Sequence, residues 1–145
     1  MSIANIDFYL LTESSLVVAG RYICRLVEKC YQQQQRTYIY TDSEKFAYQL
    51  NDLLWTFNDT SFIPHNIYEE NPNSMALVKI GYTKVDLKDH NDVLINLTES
   101  VPAFYKTFKQ VVELIPSDEL LKTAGRKKYK FYKTEGCKVE IKEQS

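Results

Sequence analysis

Glycine is scarce in this sequence, and its scarcity argues against the common nucleotide-binding loops. There are four glycines in 145 residues, and neither G-x-G-x-x-G nor G-x-x-x-x-G-K-[ST] occurs. The first predicted strand is followed by Thr12-Glu13-Ser14-Ser15 instead of a glycine turn. A phosphate needs backbone N–H groups that can approach it closely, and the Glu13 carboxylate would repel it. We therefore expect no phosphate-binding site.

Cysteine and histidine are too few and too scattered for a metal site or a nucleophile. Cys24, Cys30 and Cys137 are odd in number and form no C-x-x-C pair, which argues against a zinc knuckle and a disulfide framework. The two histidines, His65 and His90, lack the spacing of metal ligands. We interpret the cysteines as packing thiols and His65 as a turn residue bonded to backbone. The sequence predicts no catalytic residue, no metal and no cofactor, and therefore no enzyme.

Neither sign of charge dominates, and long apolar runs are missing. Eighteen Lys and Arg oppose nineteen Asp and Glu, so any electrostatic attraction to nucleic acid or membrane must be local. No apolar stretch approaches the ~20 residues of a membrane-spanning helix. The N-terminus has neither the basic region nor the cleavage site of a secretory signal. We expect one cytoplasmic domain over residues 1–145, with enough apolar residues, 44%, to form a core.

Hydrophobic periodicity predicts alternating strands and helices. Strands are predicted at 6–11, 36–40, 75–80 and 92–97, with an edge strand at 137–141. Helices are predicted at 15–34, capped by Ser14 or Ser15, at 41–55 behind a Thr41-x-x-Glu44 capping box, after Ser100 as far as Ile115, and at 117–135. Residues 57–73 are expected to be irregular. This order predicts a three-layer α/β domain with helices covering a central sheet.

An aromatic segment follows the second predicted helix. It contains the only tryptophan, Trp55, with Phe57, Phe62 and Pro64 close behind. Large aromatic residues usually fill a core, and we favour that interpretation for this segment. The alternative is a protein-docking surface, because Trp and Phe on irregular segments are typical interface anchors.

A basic stripe lies on the last predicted helix. Arg126, Tyr129, Lys130 and Lys133 stand at i, i+3, i+4 and i+7, which places them on one face. Three interpretations remain open at this point. The cations could complement the helix dipole in solvent, bind single-stranded nucleic acid with tyrosines stacked on bases, or bind an acidic peptide that ends in an aromatic residue or a carboxylate.

The ordered set of motifs resembles the chi subunits of bacterial DNA polymerase III holoenzyme. The resemblance covers most of the chain, and no single motif carries it. Its motifs are Phe8-Tyr9-Leu10, Leu50-x-x-x-Leu54-Trp55, Ser61-Phe62-x-Pro64-His65-Asn66, Leu94-Ile95-Asn96-Leu97, Phe104-x-x-Phe108-x-x-Val111-Val112-Glu113, and Arg126-x-x-Tyr129-Lys130-x-Tyr132-Lys133-x-x-Gly136.

The resemblance implies a Rossmann-like domain with a mostly parallel, mixed sheet, helices on both faces and no nucleotide chemistry. It also implies a non-catalytic adaptor, monomeric alone or heterodimeric with the psi subunit, with no membrane contact. Such adaptors join the clamp loader, through psi, to the acidic C-terminal tail of single-stranded-DNA-binding protein, and in some members they also serve a repair helicase. DNA would be reached only indirectly. The alternative is direct binding of single-stranded nucleic acid by the basic helix.

Site residues are carried over from the same resemblance. The tail-binding residues would be Arg126, Tyr129, Lys130, Lys133, Ile115 and Gly136. The residues that dock psi would be Trp55, Phe62 and Pro64. In this interpretation Arg126 or Lys130 pairs with the terminal carboxylate of the tail, while Tyr129 and Ile115 enclose its terminal aromatic ring. Lys133 stands where an arginine is familiar in the family, which would weaken bidentate contact with a carboxylate.

Overall fold

The structure is a computed structural model, and it describes residues 4–58, 60, 62–84 and 92–143. Within these ranges seven strands, three α-helices and a short 3-10 helix form an α/β structure. The strands are β1 (Asn5–Leu10), β2 (Thr37–Tyr40), β3 (His65–Ile67), β4 (Val78–Gly81), β5 (Val93–Asn96), β6 (Gln110–Ile115) and β7 (Lys138–Glu143). The helices are α1 (Gly20–Gln32), α2 (Glu44–Thr56) and α3 (Glu119–Thr134), and the 3-10 helix is Ala103–Thr107.

The seven strands form a single sheet in the order β3-β4-β2-β5-β6-β1-β7. Every pairing is parallel, so the sheet is more uniform than the mixed sheet that we expected. Strands β3 and β7 form its two edges. The predicted edge strand near the C-terminus is therefore confirmed.

Helices cover both faces of the sheet, as predicted. Side chains alternate along a strand, so Ile39 of β2 packs with α1 and α2, while its neighbours Tyr38 and Tyr40 pack on the opposite face with the 3-10 helix. Tyr132 of α3 belongs to that second face. No helix within the described ranges is both long and apolar enough to cross a membrane.

Residues 100–115 correct one prediction. The helix expected after Ser100 is replaced by the short 3-10 helix and by β6. Val111, Val112 and Ile115 are buried in the interior of a parallel sheet, where both faces of a strand are covered. A strand of this kind is an almost continuous apolar run. The spacing of its apolar residues from Phe104 matched one face of a helix by coincidence.

Smaller differences concern element ends. Helix α2 is capped by Ser43, whose Oγ accepts from the Phe46 N–H at 3.1 Å, whereas Thr41 Oγ1 accepts from the Ser43 N–H. Residues 15–19 form a turn ahead of α1, held by a hydrogen bond from Val18 N–H to Ser15 Oγ. Strand β3 lies inside the segment that we expected to be irregular. It is only three residues long, so its pattern is too short to read.

Helix α3 begins and ends as its sequence predicts. Asp118 accepts a hydrogen bond from the Leu121 N–H at 3.0 Å, which caps the first turn. Gly136 follows the last turn with φ +82°, a left-handed conformation that favours glycine. The chain then reverses into β7, which pairs with β1. This turn places β7 at the edge of the sheet, in contact with α3.

Candidate functional site

Helix α3 presents most of its cations to solvent. Arg126, Lys127, Lys130 and Lys133 are exposed, and Tyr129 is half-buried. Lys128 is the exception, because it turns inward and is 5% exposed. Among the described residues neither Arg126 nor Lys130 makes an ion pair. Their charges are therefore available to an external anion.

A cleft of about 540 Å³ opens beside this helix, at the carboxyl ends of β1 and β6. The lining residues come from β1 and the residue after it, from the end of β6, from α3 and from β7. They are Phe8, Leu10, Leu11, Ile115, Ser117, Lys122, Gly125, Arg126, Tyr129 and Ile141. Among the residues that the structure describes, no acidic side chain lines the cleft. An apolar cavity with cations on one wall suits a ligand that is both hydrophobic and anionic.

Aromatic and aliphatic groups form the walls of the cleft. The Tyr129 ring meets Phe8 edge to face, with centroids 5.8 Å apart. Ile115 is buried beneath them. Leu10 and Ile141 are 44% and 57% exposed, so the cleft presents apolar surface to solvent. Exposed apolar side chains that adjoin a cleft are typical of a binding site.

The structure brings together half of the residues that we carried over for tail binding. Arg126, Tyr129 and Ile115 line the cleft. Lys130 and Lys133 do not line it, and the Lys133 ammonium lies 5.9 Å from the centroid of the Tyr129 ring. Gly136 terminates the helix and is likewise outside the cleft.

Seven of the ten lining residues were missed from the sequence, among them Lys122, Leu10 and Ile141. Lys122 stands four residues before Arg126 on the same helix face, so the spacing that revealed the stripe also contained it. It lies 3.9 Å from the exposed Glu119 carboxylate. Leu10 and Ile141 could not be found this way, since only the pairing of β1 with β7 brings their strands together.

A second exposed surface lies at the C-terminal end of α2. Trp55 and Phe62 are 46% and 69% exposed, and their ring centroids are 5.4 Å apart. Pro64 is half-buried nearby. Phe57, in contrast, is buried in the core. The core interpretation is therefore right for Phe57, while Trp55 and Phe62 form an exposed pair, which we call the aromatic surface.

His65 supports the aromatic surface, and both of its ring nitrogens lie against backbone carbonyl groups. Its Nδ1 and Nε2 lie 2.6 Å and 2.8 Å from the carbonyl oxygens of Ile63 and Asn51. Its ring lies 4.1 Å from that of Trp55. The prediction that His65 bonds to backbone is confirmed, although it begins β3 instead of forming a turn. His90 lies outside the described residues.

The cysteines pack in the core, as we interpreted them. Cys24, Cys30 and Cys137 are all buried and unpaired by disulfides. Burial raises the pKa of the Cys24 thiol to about 12, which keeps it protonated and unreactive at neutral pH. Among the described residues no group of three or more Cys, His, Asp or Glu side chains could hold a metal ion.

Comparison with known proteins identifies the family. The family model for the DNA polymerase III chi subunit, HolC, matches residues 3–140. The chain belongs to the DNA polymerase III chi subunit family. It is 31% identical over 136 residues to DNA polymerase III subunit chi of Pseudomonas aeruginosa, covering 94% of each chain. It is 32% identical to the Escherichia coli subunit, covering 91% of this chain and 92% of that one.

A solved structure confirms the fold class of this chi-family chain. Domain 2 of the DEAD-box helicase Mss116p, solved bound to an RNA duplex, aligns with a TM-score of 0.63 and covers 96% of the chain. This chain spans 64% of that structure. Sequence identity is 10%, so the likeness establishes a shared α/β fold and nothing about ligands. Family membership makes the protein an accessory subunit of a replicative polymerase.

Proposed function

We propose that this chi-family protein is a non-catalytic adaptor that binds two partners at once. One partner is the acidic C-terminal tail of single-stranded-DNA-binding protein, held in the cleft beside α3. The other is the psi subunit, which connects the adaptor to the clamp loader through the aromatic surface. The observation that carries the proposal is the apolar cleft with Lys122 and Arg126 on its wall.

The positions of the two surfaces support simultaneous binding. The cleft includes Ile141 of the edge strand β7, whereas Trp55 packs against His65 of β3, the opposite edge. Six strand spacings separate these edges, a distance of about 29 Å. Two partners at that separation do not compete for the same residues. A protein with this layout can tether one partner to another without chemistry of its own.

The chemistry of the cleft fits a peptide that ends in an aromatic residue and a free carboxylate. Arg126 pairs with that carboxylate, a charge-assisted hydrogen bond that contributes about 1.5–3 kcal/mol. Tyr129 and Ile115 enclose the terminal ring, whose burial adds about 1.5–3 kcal/mol. Lys122, placed in the cleft by the structure, is a second candidate for the carboxylate.

The cations outside the cleft have a weaker role. Lys130 and Lys133 attract the aspartates that precede the end of the tail, with at most about 1 kcal/mol each because they are exposed and screened by salt. Together these contributions reach at most about 8 kcal/mol before the cost of ordering the peptide is subtracted, so the dissociation constant should be micromolar or weaker. Binding of this strength permits release while the single strand is being copied.

Binding of psi depends on burial of apolar surface and not on charge. Trp55 and Phe62 are large, rigid and exposed, and His65 and Pro64 fix the segment that carries Phe62. Aromatic anchors of this kind dominate the free energy of protein interfaces. The chain buries them only when psi binds.

Titration with a fluorescent tail peptide tests the first half of the proposal. The probe is an acidic peptide ending in phenylalanine with a free carboxylate, and a labelled single-stranded oligonucleotide is titrated in parallel. We expect micromolar peptide binding and no tight oligonucleotide binding. Absence of peptide binding would exclude the tail, and tight, strongly salt-dependent oligonucleotide binding would favour the nucleic-acid alternative.

Co-purification with psi tests the second half. We expect wild-type protein to retain psi through gel filtration, and the Trp55→Ser and Phe62→Ser variants to lose it while keeping their affinity for the tail peptide. Arg126→Ala is the matched control, since it should retain psi and lose the peptide. Retention of psi by both serine variants would remove the aromatic surface from the interface.

A further inference from the structure

A buried ion pair joins α3 to the sheet one helical turn from the cleft. Glu113 of β6 is fully buried, and its Oε1 lies 2.6 Å from the ammonium of Lys128 on α3. The same ammonium donates to the carbonyl oxygen of Thr98 at 2.9 Å. Glu113 Oε2 accepts from the Tyr132 hydroxyl at 2.7 Å and from the Asn96 side chain at 2.9 Å. One carboxylate thus anchors two residues of the same helix.

Stability alone does not account for this pair. Burial raises the pKa of the Glu113 carboxyl, against the opposing effects of Lys128 and of the hydrogen bonds, so the charged form carries a desolvation cost. Buried ion pairs can often be replaced by apolar residues of similar volume without loss of stability. Unlike apolar packing, the hydrogen bonds of a carboxylate are directional, because they hold the donor groups at fixed angles.

The inward face of α3 combines a few packing contacts with the bonds of this carboxylate. Its buried residues are Gly125, Lys128 and Tyr132, and two of these three bind Glu113. Tyr132 and Tyr129 also pack edge to face on Phe8, with ring centroids 6.0 Å and 5.8 Å away. Because the carboxylate holds its donors at fixed angles, it contributes to setting the rotation of α3 about its own axis.

That rotation determines the shape of the cleft. Ile115 follows Glu113 by two residues, so both side chains leave the same face of β6. Gly125 lies so close to Ile115 that a Cβ there would be 2.9 Å from its Cδ1. Turning α3 by about 20° would displace the ends of the Arg126 and Tyr129 side chains by about 2 Å. Such a shift exceeds the tolerance of a carboxylate hydrogen bond.

We propose that Glu113 and Lys128 are positioning residues for the peptide site. They hold α3 at the rotation that directs Arg126 and Tyr129 to the cleft, without touching the peptide themselves. The proposal rests on the proposed tail-binding function. Measuring the position of the Tyr129 ring relative to Phe8 distinguishes failure of the positioning role from failure of the tail-binding function.

The test uses a double variant that carries both Glu113→Leu and Lys128→Met and therefore keeps the net charge of the protein. It is compared with two matched single variants. Lys127→Met removes a cation from the exposed side of α3, and Lys128→Arg retains the positive charge opposite Glu113. Each protein is examined by thermal unfolding, by titration with the acidic phenylalanine-terminated peptide, and by nuclear Overhauser contacts between the Tyr129 and Phe8 rings. Those rings are edge to face at 5.8 Å in the wild-type arrangement.

We expect the double variant to fold, to lose the contacts between Tyr129 and Phe8, and to bind the peptide about tenfold more weakly, the equivalent of one lost charge-assisted contact. Lys127→Met and Lys128→Arg should retain the contacts and lose less than about twofold. Unchanged ring contacts and affinity in the double variant would overturn the proposal, and so would its failure to fold. If wild-type protein binds no peptide, the proposed function fails, and the ring contacts still decide whether the pair positions α3.

Discussion

Replacing Arg126 with alanine is expected to weaken peptide binding far more than replacing any other exposed cation of the Arg126–Lys133 segment. Arg126 lines the cleft, Lys130 lies on the same helix face outside it, and Lys127 is displaced from that face. The three side chains are all exposed cations of one helix. Their comparison therefore separates position from charge.

The magnitudes follow from these positions. Loss of a charge-assisted hydrogen bond of about 1.5–3 kcal/mol predicts a 10- to 150-fold weaker dissociation constant for Arg126→Ala. Lys130→Ala removes at most about 1 kcal/mol of screened attraction, or about fivefold. Lys127→Ala should change the affinity by less than about twofold.

Fluorescence anisotropy with the acidic phenylalanine-terminated peptide at low and high salt measures these differences. The loss caused by Lys130→Ala should shrink at high salt, whereas much of the loss caused by Arg126→Ala should persist. Thermal unfolding confirms that each variant is folded. Equal losses for Arg126→Ala, Lys130→Ala and Lys127→Ala would mean that the peptide senses a diffuse positive charge and that the cleft is not its site.

Three further predictions concern stability and the aromatic surface. Gly81→Ala should lower the free energy of unfolding by about 1–3 kcal/mol in urea titrations, because its Cβ would clash with the Tyr38 hydroxyl, and a change under about 0.5 kcal/mol would contradict that packing. Burial raises the pKa of Tyr38 and Tyr132, and of Cys24 to about 12. The folded state therefore keeps protons that the unfolded state releases above about pH 9–10. The free energy of unfolding should fall with rising pH by up to about 1.4 kcal/mol per pH unit for each group. A constant or rising free energy of unfolding between pH 9 and 11 in urea titrations would refute this. Binding of psi should shift the emission of Trp55, the single tryptophan, to shorter wavelength, and an unchanged spectrum would place psi elsewhere.

The stripe on α3 could be predicted because its signals are local. Asp118 caps the helix and Gly136 ends it. The spacing of Arg126 and Tyr129 places them on one helix face independently of tertiary contacts. Local spacing does not reveal the position of Lys128, which lies within the cationic run but turns inward to Glu113. A run of charges does not show which member is buried.

The cleft itself depends on contacts distant in sequence. Ile115 was carried over as a site residue while its segment was expected to be helical, and its position at the end of β6 follows from pairing with β1 and β5. Leu10 and Ile141 enter the cleft through the pairing of β1 with β7. Trp55 and Phe57 are two residues apart, yet one is exposed and the other buried, which depends on where α2 ends.

The central claim is that the cleft binds a free C-terminal carboxylate together with the ring that precedes it. Isothermal titration calorimetry with two peptides of the same acidic sequence, one ending in a free carboxylate and one in a carboxamide, tests it most directly. We predict micromolar binding of the carboxylate peptide and at least about tenfold weaker binding of the carboxamide. Equal affinities would contradict the account, because they would mean that Arg126 and Lys122 do not bind the end of the chain.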